Sequence, residues 1–287
     1  MKKRLKTTIA YIWKEIGRLK KLESQKHVVP ILYYHSVSSE PTHGQHRVTD
    51  TNFEDQVRFL TSNYTVMPFS QFIENLRNQG KMTKCAVVTF DDGYRDNYQY
   101  AYPILKKYSC PAAIFIATGF IEKTVTLIED EEILEPMTWK EINEMNMNGL
   151  ISFGAHGHTH RILSQISRYE VEEEIKTSKN MIEENLGKSI NIFAYPNGQP
   201  SDFNQEIINV LKNNGFIAAC STVWGSTHSY ENAFAIRRIM VERSDSIDIF
   251  KLKLMGAYDF LCYVSWIKFV LHRMMKVKGN IIHRIKT

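Results

Sequence analysis

Cysteine is scarce in this chain: 287 residues contain four, Cys85, Cys110, Cys220 and Cys262, and no two of them form a CxxC pair. Cys85, Cys110 and Cys220 fall in apolar, strand-like runs, where a thiol packs as a small hydrophobe. They are read as reduced and structural, as in a reducing compartment. Long apolar runs are also missing. The candidate FLCYVSWIKFVL, residues 260–271, is shorter than the ~18 residues a membrane span requires and is interrupted by Lys268. There is no low-complexity linker and no internal repeat to divide the chain. Residues 1–26 open with basic residues as a secretory leader does, but Lys14 and Glu15 break the apolar run and no small-residue cleavage site follows. The spacing of Leu5, Ile9, Ile12, Ile16 and Leu19 instead predicts a retained amphipathic helix.

With 43% hydrophobic and 23% charged residues, the composition is that of an ordinary folded protein with a sizeable core. Charge is unevenly divided. Residues 1–26 carry a net +7 and residues 268–287 a net +6, which leaves −8 for the rest of a chain whose total is +5. Basic amphipathic ends with adjacent aromatics suit an anionic membrane interface, or they pack on the body with solvated lysine faces. Nucleic acid is not an expected partner, because the basic residues lie at the ends and the central body is acidic.

From residue 28 onward, short apolar runs alternate with helical patterns. The strand candidates are VVPILYY (28–34), CAVVTF (85–90), AAIFIAT (112–118), LISFGA (150–155), INIFAY (190–195), FIAACST (216–222) and AFAIRRIMV (233–241). Six are almost continuously apolar, as in strands covered on both faces. Helical patterns lie between them, with Gly149, Gly187 and Gly215 as stop signals and Ser201 and Asp202 as a start signal. Repeated βα units predict a parallel sheet, either a barrel or a doubly wound sheet. The acidic stretch 121–137 is expected to be a surface loop.

In such folds the loops after the carboxyl ends of the strands build the site, and the polar outliers sit there. His35 follows the first strand, Asp91 and Asp92 the second, His156, His158 and His160 the fourth, and Pro196, Asn197 and Gly198 the fifth. Two adjacent aspartates before a glycine form either a plain turn or a pair whose mutual repulsion is relieved by a cation on one member. His156 and His160, four apart in HGHTH, can converge on one ion if that segment makes a helical turn. Two imidazoles and a carboxylate make a common catalytic zinc set.

TFDDG (89–93) together with HGHTH (156–160) resembles the polysaccharide deacetylases, carbohydrate esterase family four, in motif order and strand placement from residue 28 to about 242. The resemblance implies an α/β fold, a distorted (β/α)7 barrel of the polysaccharide deacetylase type, here with amphipathic helices at both termini. The expected division is an N-terminal helix at 1–26, a deacetylase-like catalytic domain at 27–245 and a basic helical tail at 246–287. It implies metal-dependent removal of N-acetyl groups from an N-acetylhexosamine-containing glycan. Asp91 would be the general base, and Asp92, His156 and His160 would hold a divalent metal, zinc first, with cobalt or nickel admissible.

Two family motifs depart from pattern. In FAYPNGQ, Ala194 stands where the family has arginine and Asn197 where it has tyrosine, so Asp91 lacks its usual orienting partner. Tyr195, Pro196 and Asn197 are expected at the substrate, with the Asn197 N–H as a donor to the oxyanion. The late histidine that supplies the general acid is absent, and IRRIMV occupies its place. Arginine does not donate protons at neutral pH. His35 is the candidate acid, since a histidine at this strand end also occurs in the branch resembling poly-N-acetylglucosamine deacetylases. Gly157 replaces a family serine or threonine and removes a supporting hydroxyl. Trp224 is a candidate apolar wall for the substrate. Two other readings stand beside the enzyme: a glycan-binding domain that has lost turnover, and a metal-dependent amidase for a small N-acyl compound. The expected location is cytoplasmic, at the inner membrane face.

Overall fold

The computed structural model describes residues 6–13, 27–39, 44–129 and 132–262. Seven strands form the centre: β1 (Ile31–Tyr34), β2 (Cys85–Phe90), β3 (Ala112–Ile116), β4 (Ile151–Ala155), β5 (Ile192–Ala194), β6 (Ala218–Trp224) and β7 (Ile236–Met240). Each pairs in parallel with the next, and β7 pairs with β1, so the sheet closes into a barrel. The short strand Thr65–Val66 pairs in parallel with the start of β2, Cys85 and Ala86. These are the seven strands expected from the sequence, except that the first run is broken at Val29 and Pro30. His27–Val28 pairs elsewhere, antiparallel to Thr227–His228.

Around the barrel lie α1 (Asp50–Asn63), α2 (Phe69–Arg77), α3 (Tyr102–Lys107), α4 (Trp139–Asn148), α5 (Arg168–Leu186), α6 (Gln205–Asn213) and α7 (Ile247–Leu254). Gly149 and Gly187 end α4 and α5 at positive φ, 76° and 64°, where a side chain would be strained. The start signal of α6 is Asn204, whose side chain accepts from Ile207 N–H, rather than Ser201 or Asp202.

Side-chain parity along the strands divides the core. Leu32, Tyr34, Ala86, Val88, Phe90, Ile114 and Phe193 face the helices, whereas Ile31, Val87, Ala113, Phe115, Ala194, Cys220 and Ile236 fill the barrel interior. All of these are buried, which is why the strands read as continuous apolar runs. In steps of two toward the carboxyl ends, the interior phase passes from Val87 through Thr89 to Asp91, just beyond β2, and from Ile236 to Arg238 within β7.

The ends of the chain are partly described. Residues 6–13 form a helix, with Ala10 and Trp13 against Tyr258 and Phe260, whereas Ile12 of the predicted apolar face is exposed. The other residues of the predicted basic ends, 1–5, 14–26 and 263–287, lie outside the described residues. α7 is joined to the body through Phe250 and Leu254 in the main core, and through buried Lys253, which bonds Asp245 and the Met240 carbonyl. Among the described residues, no helix is long and apolar enough to cross a membrane.

Beyond β1 the chain makes a small parallel pair, Ser36–Ser38 with Arg47–Thr49, tied down by Asp96. The Asp96 carboxylate accepts from Ser36 Oγ, Val37 N–H and Asn97 Nδ2, and Asn97 also donates to the His35 carbonyl at 2.8 Å. Burial outweighs these bonds and pushes Asp96 up to about 6. A carboxyl whose pKa is raised in the folded state gives stability that is complete below about pH 4 and is lost as pH rises through about 6. Asp96→Asn is therefore expected to gain on wild type by on the order of 2 kcal/mol between pH 4.5 and 7.5, discounted for partial exposure. Urea unfolding at the two pH values checks this, and a pH-independent difference would show that Asp96 titrates normally.

Candidate active site

The carboxyl ends of the strands surround a cavity of about 480 Å³ lined by Asp91, Asp92, His156, His160, His35 and His46, among others. Asp91 and Asp92 both reach it although neighbouring residues of a strand point oppositely. Asp92 has φ 72°, which turns the chain just after β2 and brings the second carboxylate back to the same opening. Gly93 follows with φ 91°, and a Cβ there would come within 2.9 Å of Ile116 Cγ2, so only glycine fits the turn.

His156 and His160 converge as expected, but without a helical turn. Residues 156–160 form an irregular bend whose reversals fall at Gly157, φ 78°, and His160, φ 60°. Asp92 Oδ1 lies 3.3 Å from His156 Nε2 and 3.2 Å from His160 Nε2. The three ligand atoms lie within 4.8 Å of one another. His156 Nδ1 bonds the Ala194 carbonyl at 2.8 Å, so this nitrogen carries the proton and Nε2 presents its lone pair to the cavity. Asp92 Oδ1 is buried yet has no hydrogen-bond partner. An orphaned carboxylate oxygen facing two imidazole nitrogens fits a divalent cation. His158 points away, its Nδ1 2.9 Å from Thr118 Oγ1.

Asp91 does have an orienting arginine. Arg238 on β7 lies inside the barrel with no exposed surface, and its Nη1 and Nη2 each donate to Asp91 at 2.7 Å in a bidentate fork. The guanidinium also donates to the Ser221 carbonyl at 2.9 Å and to Thr89 Oγ1 at 3.3 Å, and its carbon lies 4.5 Å from the Tyr33 ring centre. Burial by itself would raise the Asp91 carboxyl, but the Arg238 guanidinium, by its charge and its hydrogen bonds, holds it below the usual range. For Asp92 burial acts in the same direction, and His160 first among its neighbours brings the carboxyl well below the usual range. The two adjacent charges are thus answered separately, one by a guanidinium and the other by the imidazole side.

His35 is at the cavity as expected, 5.2 Å ring to ring from His46, which the sequence reading missed. Strand pairing places it there: Ser36 pairs with Arg47, so residues 35 and 46 stand side by side where the two strands begin. Asn197 also lines the cavity, with φ 59° and its amide donating to Asp202. Tyr195 touches the cavity, but its ring stacks on Phe203 at 4.3 Å and its hydroxyl donates to the Phe234 carbonyl. Pro196 is buried near Gly157 and does not line the cavity.

Trp224 is a correction. It lies beyond a register shift in β6 between Cys220 and Trp224, and packs beside Tyr258 and under Lys253 Nζ instead of forming a wall of the cavity. The stretch 121–137 is largely exposed and irregular among its described residues, as expected, but it also reaches the site. Thr126, Leu127 and Ile128 line the cavity, and Ile128–Glu129 pairs with Glu132–Ile133 in a hairpin fastened to Arg47 through Glu132.

The polysaccharide deacetylase family profile matches residues 78–219. YxkH of Bacillus subtilis (strain 168), named for the polysaccharide deacetylases, is 30% identical over 232 residues, 80% of this chain and 75% of that protein. A poly-β-1,6-N-acetyl-D-glucosamine N-deacetylase of Staphylococcus aureus (strain NCTC 8325 / PS 47) is 29% identical over 220 residues, 73% of this chain and 72% of its own. Among solved structures, a Streptococcus pyogenes deacetylase in complex with acetate shares the fold with TM-score 0.69 at 24% identity, covering 80% of this chain and 99% of that one. A polysaccharide deacetylase from Bacillus cereus gives TM-score 0.66 at 25% identity, covering 80% and 69%.

Removing one member of a buried ion pair strands the other, which costs about 3–5 kcal/mol. Arg238→Met is expected to lose stability of that order and nearly all turnover. Adding Asp91→Asn to it should restore most of the stability and none of the activity. Denaturant unfolding of the two single variants and the double variant measures the coupling. Additive losses would show that the fork is unimportant.

Proposed function

Because the chain belongs to the polysaccharide deacetylase family, we propose that its cavity hydrolyses the N-acetyl group of an N-acetylhexosamine in a glycan, with Asp91 as base and Asp92, His156 and His160 as metal ligands. One observation carries the reading: two carboxylates, each neutralised by different partners, meet in one cavity beside two imidazoles. A cation held by Asp92, His156 and His160 would polarise the acetamide carbonyl and bring the pKa of water from ~15.7 towards 7. Zinc best suits two imidazoles and one carboxylate.

Asp91 takes the proton of the attacking water. Its ionised state is secured by Arg238, and the fork fixes the plane of the carboxylate, so the accepting lone pair is aimed without a search. The Asn197 N–H, held at positive φ and braced by Asp202, is the donor to the oxyanion. His35 gives a proton to the leaving amine, with its carbonyl anchored by Asn97. The Asp91–Arg238 pair answers one of the two motives for the binding-domain reading, the arginine missing at Ala194, and the absent late histidine is the other.

Two results check this. Zinc-loaded protein should release acetate from N-acetylglucosamine oligomers, and a loaded protein that releases none from any N-acetylated glycan would be a binding domain instead. His35→Ala should lose most of kcat, on the order of 10²-fold or more, while metal content stays at the wild-type level. Unchanged turnover would remove His35 from the chemistry.

Membrane association is a second element of the proposal, supported by the helix at 6–13. While Ala10 and Trp13 dock on the body, Tyr11 and Ile12 are 53% and 58% exposed between strongly basic flanks. Binding to anionic vesicles should fall when residues 1–26 are deleted and should weaken with salt. Equal sedimentation with vesicles before and after the deletion would exclude it.

A further inference from the structure

The metal-ligand bend carries a support that its own sequence does not supply. Residues 157–159, between the two histidine ligands, have no regular structure, and Gly157 offers no side chain to hold them. Glu174, nearly two turns into α5, reaches under the bend. Its Oε2 accepts from both His158 N–H and Thr159 N–H at 2.8 Å, and its Oε1 accepts from Thr159 Oγ1. The carboxylate is buried at 7% exposure, and among the described residues it forms no ion pair with lysine or arginine. Its three acceptor contacts all go to one two-residue segment.

We propose that Glu174 is a positioning residue for the metal centre: it fixes the 157–159 bend so that His156 and His160 face Asp92. This rests on the metal-site reading given above. Three observations support it. Two consecutive N–H groups aimed at one carboxylate oxygen make a small anion-binding nest, and the carboxylate charge strengthens both bonds. The bend is gripped from its other side through carbonyls, with Thr118 N–H donating to Gly157 O at 3.3 Å and Gly119 N–H to His158 O at 2.7 Å. The peptide planes are therefore clamped at both edges, and His160 can be held at φ 60°, a costly conformation for a residue with a side chain. Finally, a Cβ built on Gly157 would stand 3.2 Å from Glu174 Oε2, so the carboxylate packs directly against the bend and would have to give by a few tenths of an ångström to any side chain there.

Glu174 is expected to act on metal affinity, not on the bond-breaking step. Outer supports of this kind alter affinity about 10–100-fold. Zinc affinity of the full-length chain, measured by competition with a chromophoric chelator, should fall by about that factor in Glu174→Ala. Glu174→Asp keeps the charge but not the reach, and should also fall, by several-fold. Glu174→Gln can still offer a carbonyl oxygen to the two N–H groups, and should stay nearest to wild type. Turnover of Glu174→Ala should recover at high zinc with KM for the glycan unchanged, a pattern that general loss of structure would not give. An alanine variant binding zinc within twofold of wild type overturns the inference. If that variant does not fold, the aspartate variant with wild-type affinity overturns it. Wild-type protein that binds no zinc would instead overturn the reading of the site itself, a result separate from either.

Discussion

The bidentate fork between Arg238 and Asp91 is the interaction on which the site depends. Two full charges are enclosed in a barrel otherwise filled by Ile31, Val87, Phe115 and similar residues, where an unpaired ion would be very unfavourable. The groups around the pair complete its solvation, Ser221 with its carbonyl, Thr89 with its hydroxyl and Tyr33 with its ring face. With Asp91 neutralised from within the barrel, Asp92 can turn outward to the histidines, and two adjacent carboxylates coexist because each belongs to a different electrostatic partner. The result of that division is a group able to hold a metal ion set beside a guanidinium-paired carboxylate.

The closed parallel barrel makes the division possible. Parity carries Asp91 and Arg238 into the interior, and ring closure puts β7 next to β1 and β1 next to β2. The guanidinium therefore spans two strand spacings of ~4.8 Å each, passing over Tyr33 on the way. The rigid wall also holds the strained residues Asp92, His160 and Asn197 at positive φ. All three line the cavity, which is where backbone strain is expected to accumulate.

Much of this was legible in the sequence. The strands announced themselves as continuous apolar runs because both faces are covered, and TFDDG and HGHTH each lay at the carboxyl end of such a run. The same continuity hid Arg238: when both faces of a strand are apolar, alternation gives no sign of which residue faces inward, and the partner is 147 positions away. Arg237 and Arg238 looked equivalent, yet one is exposed and the other is the best-buried charge in the barrel. Trp224 was misplaced because the register shift in β6 cannot be read from composition. Thr126 to Ile128, His46 and Glu174 were missed for a related reason. Their roles come from where a loop returns or where a helix passes beneath a bend, and both are tertiary facts.

The departures from the family motifs follow from the same geometry. What the chemistry requires of the arginine is a guanidinium at the Asp91 carboxylate, and in a closed barrel the interior can be reached from any strand with the right parity. Ala194 on β5 supplies no guanidinium, its carbonyl instead accepting from His156 Nδ1, and Arg238 supplies one from β7. A buried ion pair is a poor device for stability alone, since apolar side chains of similar volume commonly serve as well or better. Its presence at the end of the barrel that opens on the cavity accords with the proposed role of Asp91 as a base kept ionised.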